Sequence, residues 1–152
     1  MPFRFSLETA LRYRRSLERK QEAALQAINH QIEIFARQLE SMRESELLAR
    51  TRTQQKLEAG LSSAELQFQS FCISQLQAQQ QVLITRQAQA RELHRKQLAL
   101  LTELRQDRAR LESVRDRELE IYIQQQSRRE QRRADDEFLV RQSFRRRSKL
   151  AQ

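Results

Sequence analysis

The sequence predicts an all-α fold in which two long helices form an antiparallel coiled-coil hairpin. Three observations carry this reading. First, Pro2 is the only proline and Gly60 the only glycine in 152 residues. Gly and Pro punctuate folds made of many short elements, and sheets need such turns every few residues. Second, Leu25, Ile28, Ile32, Phe35, Leu39 and Met42 alternate steps of three and four, the repeat that keeps one stripe facing a partner helix. Third, stop and start signals stand together around Gly60. The expected organisation is a single hairpin over 1–152, with a first helix over about 6–58, a turn at 59–62 and a second helix over about 63–145.

The first helix is expected to open near Ser6, a side chain suited to the N-cap, although Thr9 stands where a capping Glu would be ideal. Its apolar frame extends backwards through Gln21, Glu18 and Arg14 to Leu11 and Leu7, and forwards to Glu46 and Ala49. The seam is therefore strongest in its middle. At the turn, Gly60 suits the left-handed position that ends many helices. Ser62 and Glu65 have the S-x-x-E spacing of a capping box, and Leu61 and Leu66 the spacing of a hydrophobic staple. So short a connection makes the two helices antiparallel neighbours.

On the second helix the clearest apolar frame is Leu93, Gln97, Leu100, Leu104, Asp107, Leu111, Val114, Glu118, Ile121. Cys72, Leu76, Leu83 and Ala90 fit it, with Gln79 and Arg86 interrupting. Folding back near residue 61 pairs position i with roughly 122 − i, so Leu83, Ala90, Leu93 and Leu100 are expected to face the first seam. Helices of these lengths would measure roughly 80 and 120 Å. The second is then expected to overshoot the first by about two dozen residues.

Composition bounds the function. Hydrophobic residues are 38% and charged residues 32%, which fits a narrow apolar seam between wide polar faces better than a globular core. Net charge is +9, divided as +3 over 1–60, +1 over 61–127 and +5 over 128–152. The excess lies in Arg128, Arg129, Arg132, Arg133, Arg141, Arg145, Arg146, Arg147 and Lys149. Such a patch meets an acidic protein, an anionic membrane or nucleic acid. With Phe138 and Phe144 as its only aromatics, it lacks the stacking platform of most nucleic-acid binders. A basic coiled coil that associates with nucleic acid is the alternative, and solvation is the plainest use of the charge.

Phe68 and Phe71, three residues apart in a Gln-rich stretch, are a candidate protein-docking pair, against the simpler role of seam edge. His30 and His94 come close in the hairpin register, but two ligands without a third do not make a metal site. Cys72 has no second cysteine to pair with, as expected of a reducing cytosol. One glycine cannot build a phosphate-cradling loop, and the carboxylates are scattered along solvated faces. No enzyme activity, cofactor or metal is expected. Residues 66–85 carry no charge, yet seven Gln, two Ser and one Thr make them too polar for a lipid span. No continuous apolar signal segment is visible near residue 1.

Two stretches resemble the FliJ family of flagellar type III export proteins. Phe3-Arg4-Phe5-Ser6-Leu7-Glu8-Thr9-Ala10-Leu11-Arg12-Tyr13-Arg14 looks like that family's aromatic–basic opening followed by its helix start. Arg129-Glu130-Gln131-Arg132-Arg133-Ala134-Asp135-Asp136-Glu137 resembles its basic helix ending in an Asp-Glu pair, with Asp135 where a hydrophobic residue often stands. The layout agrees along the whole chain, the motifs over about 20 residues. The resemblance implies a two-helix stalk, similar to the central stalk of rotary ATPases. It would bind and stimulate the hexameric export ATPase and contact the membrane export gate protein and export chaperones, in the cytoplasm and peripherally at the inner membrane. The stalk proteins of injectisomes share the layout and are the nearer alternative. In either role, Arg128, Arg129, Arg132 and Arg133 are the expected electrostatic contacts.

Overall fold

The computed structural model describes residues 2–150, except the side chains of Lys149 and Leu150. Two helices, α1 (Glu8–Ala59) and α2 (Ser63–Leu150), form an antiparallel hairpin, and no strand occurs among the described residues. No helix among them is long and apolar enough to cross a membrane.

Local chemistry explains each end. Gly60 has φ of +96°, a conformation that costs an L-residue roughly 1–2 kcal/mol, and its N–H donates to the Leu57 carbonyl at 3.3 Å. The Ser62 N–H donates to Glu65 Oε2 at 3.1 Å, while the Glu65 N–H donates to Ser62 Oγ at 3.3 Å. This reciprocal pair satisfies two amides that have no intrahelical partner. The Ser62 backbone hydrogen bond, aided by its hydroxyl, holds the Glu65 carboxyl below its ordinary pKa. At the other end α1 opens at Glu8, two residues after the expected Ser6. The Glu8 N–H donates to the Phe5 carbonyl at 3.3 Å, so a backbone turn stands where a Ser6 side-chain cap was expected.

Packing divides the chain into two compact units: Leu17–Leu104, and Met1–Ser16 with Arg105–Gln152. In the first unit, the buried and half-buried row of α1 comprises Glu18, Gln21, Leu25, Ile28, Ile32, Phe35, Leu39, Met42, Glu46, Ala49 and Thr53. Opposite it, α2 packs Leu76, Gln80, Leu83, Gln87, Ala90, His94, Gln97, Leu101 and Leu104. Gln77 and Gln80 donate to the Glu46 carboxylate at 2.9 and 2.8 Å and tie the helices near the turn. Among the described residues, the buried side-chain oxygens of Gln21 and Gln97 meet no protein hydrogen-bond donor.

The α2 row corrects the expected frame. Leu76, Leu83, Ala90, Gln97 and Leu104 occupy it, but the alternate positions from Gln79 to Leu100 each move by one residue. Leu93 and Leu100 are 47% and 39% exposed, and His94 and Leu101 take their places. In the second unit Val114 is likewise 39% exposed, with Arg115 half-buried beside it, while Leu111 stays in the row. The reason is rotational. Leu83 and Leu101 stand eighteen residues apart, five full turns, and so project on one side of α2; Leu100 is rotated from them by about 100°.

Candidate functional site

The second unit contains the residues with the most distinctive local chemistry. Its N-terminal segment meets α2 through a ring contact at Phe3 and ion pairs at Arg14 and Arg15. Leu11 is fully buried and Phe5 nearly so. The Phe3 and Tyr122 rings meet at a centroid distance of 5.6 Å, tilted by 54°, within the range favoured by aromatic pairs. Leu7, which the extended frame placed in the seam, is largely exposed.

Two arginines of α1 reach carboxylates of α2. Arg14 donates to Asp107 Oδ2 at 3.1 Å, and Arg15 to Glu112 Oε1 at 2.9 Å. Arg108 donates to the other Glu112 oxygen, also at 2.9 Å. The Arg15 hydrogen bond, followed by that of Arg108, lowers the Glu112 pKa against the opposing effect of burial. In the unfolded chain the carboxyl returns to the ordinary value near 4.5. Its contribution to stability is thus complete above that value and is lost as pH falls through the lower folded value. Unfolding in urea is expected to become easier below about pH 4.5, and Glu112→Gln should flatten this dependence. An unchanged acid slope in the variant would show that the Arg15–Glu112–Arg108 cluster does not couple to folding.

Beyond Gln126 the character of α2 changes. Every described side chain from Ser127 to Ser148 is exposed. Arg128, Arg129, Arg132 and Arg133 form no ion pair among the described residues; in this stretch Arg141 pairs with Glu137 at 3.4 Å. Exposure extends to Phe138, Leu139, Val140 and Phe144. The Lys149 side chain, counted in the basic run, lies outside the described residues. Of these arginines, Arg129 and Arg133 line an open hollow of about 840 Å³ together with Pro2, Arg4, Tyr122, Gln125 and Gln126. Arg4 is not legible in the sequence as a member of this group, because Arg129 and Arg133 lie more than a hundred residues away along the chain.

In the first unit Phe68 and Phe71 are both well exposed, and Cys72 beside them is half-buried. His30 is exposed and His94 half-buried, and no group of three or more potential metal ligands occurs among the described residues. The structure therefore presents two separate surfaces: a phenylalanine pair in one unit and an exposed basic helix in the other. Comparison with protein-family models, with curated proteins and with solved structures returns no match.

Proposed function

We propose that this chain is a non-enzymatic, stalk-like component of the flagellar type III export apparatus. In this reading it binds and stimulates the hexameric export ATPase and links it to the membrane export gate protein and export chaperones. It acts in the cytoplasm, peripherally at the inner membrane. The observation that carries the reading is the basic stretch after Gln126, a helix exposed on all sides whose first four arginines form no ion pair among the described residues. Exposure on all sides suits insertion among acidic surfaces, and Arg engages carboxylates in planar two-point contacts. The residues that resemble the family's opening are also those held against α2, through Phe3, Phe5, Leu11 and Arg14.

Replacing Arg128, Arg129, Arg132 and Arg133 together by Gln removes four charges while keeping good helix formers. Helical content should survive. Stimulation of the export ATPase and co-sedimentation with it should fall by about tenfold or more, with a weaker dependence on salt. Undiminished stimulation at low and high salt would overturn the basic contact and favour Phe68 and Phe71. Tight binding to duplex DNA at physiological salt would favour a nucleic-acid role instead.

A further inference from the structure

We infer that the hollow lined by Arg4, Arg129 and Arg133 is a receptor for clustered carboxylates on an acidic peptide segment of a partner protein. The inference rests on the reading of the basic helix as a protein contact, and it narrows that contact to one side of α2.

Three arginines line one hollow, and no acidic residue is among its lining residues. None of the three forms an ion pair among the described residues. Concentrated positive charge in a concave site attracts an anion more strongly than the same charges spread along a convex helix.

The hollow is also held in place by its neighbours. Arg129 and Arg133 are four residues apart and lie on one side of α2. Arg4 comes from the opposite segment, next to Phe3, whose ring rests on Tyr122 at 5.6 Å, and one residue from buried Phe5. The backbone that carries Arg4 is thus held from both sides, which reduces the entropy lost on binding.

Size and lining indicate the kind of anion. About 840 Å³ is far more space than one small oxyanion needs and lies in the range of ordinary ligand sites. Gln125, Gln126, Pro2 and Tyr122 complete the lining, so that uncharged polar and apolar residues stand beside the three arginines. An extended peptide with neighbouring Asp or Glu side chains can use all of these. Binding of single-stranded nucleic acid relies on bases stacking on aromatic rings, and the Tyr122 ring is engaged by Phe3.

The helix itself supplies a control. Arg128 and Arg132 carry the same charge on the same helix but are rotated by about 100° from Arg129 and Arg133, and they do not line the hollow. Binding of a fluorescein-labelled deca-glutamate peptide to the full chain can be measured by anisotropy at low salt. Arg129→Gln/Arg133→Gln should weaken it by about tenfold or more, and Arg4→Gln by about fivefold, against less than about threefold for Arg128→Gln/Arg132→Gln, since rim charges contribute little. Circular dichroism should show equal helicity in all four proteins. Equal weakening by the two double variants, or no effect of Arg4→Gln, would reduce the hollow to diffuse charge and overturn the inference. Tighter binding of pyrophosphate or duplex DNA with the same residue dependence would overturn it in favour of a phosphate site. If the deca-glutamate pattern holds while the quadruple variant still stimulates the export ATPase, the hollow stands and the proposed partner falls. If the quadruple variant loses stimulation while the two double variants behave alike, the partner stands and the hollow falls.

Discussion

Leu101→Ala is expected to destabilise the hairpin by about 2–5 kcal/mol, the range for emptying a packed leucine site. Its neighbour Leu100→Ala should cost less than about 1 kcal/mol, as surface substitutions do. The two residues are chemically identical and adjacent, and Leu and Ala are both strong helix formers, so propensity separates them little. What separates them is direction: Leu101 is 2% exposed in the packed row of α2, Leu100 39% exposed beside it. Urea denaturation followed by circular dichroism reads both variants. A larger loss from Leu100→Ala than from Leu101→Ala would mean that the helices pack on the frame containing Leu93, Leu100 and Val114.

Leu11→Ala carries the second large effect. Leu11 has no exposed surface, and few other apolar side chains hold the segment before Ser16 in its unit. The intrinsic loss is again about 2–5 kcal/mol. Here it should appear as local opening, because a short segment with few buried groups can unfold ahead of the remainder. Hydrogen exchange should accelerate at the amides around Phe5–Arg15. Exchange in 25–42, which lies in the other unit, should change far less. Leu7→Ala, at a largely exposed position, is the control and should leave exchange nearly unaltered. Equal protection in Leu11→Ala and the parent would show that Arg14 and Arg15, through Asp107 and Glu112, hold the segment without the leucine.

How much was legible in the sequence depended on how local the determining interactions are. The turn was legible because its causes lie within nine residues: Gly60 supplies the left-handed backbone, and Ser62 and Glu65 bond each other. The start of α1 was less so, because the Phe5 carbonyl accepts the hydrogen bond that the Ser6 hydroxyl was expected to satisfy from its side chain. Arg128, Arg129, Arg132 and Arg133 stood out as one charge run, but only the fold separates the pair that lines the hollow with Arg4 from the pair that does not.

The sequence by itself determined that the chain is helical, where it reverses, and that the reversal makes the two helices antiparallel. Scarce breakers, helix-forming composition and a self-contained capping box are properties of neighbouring residues, and they act without reference to the rest of the chain. Only the tertiary structure decided which face of α2 is packed. Apolar residues stand at Leu100 and Leu101 alike, so the apolar pattern admits two rotations about the helix axis, one residue apart. The choice falls to the rotation that sets Leu83 and Leu101 together against α1, even though it puts His94 in the row in place of Leu93. Packing energy depends on how two surfaces interlock, and one helix's own apolar spacing cannot specify the surface it will meet.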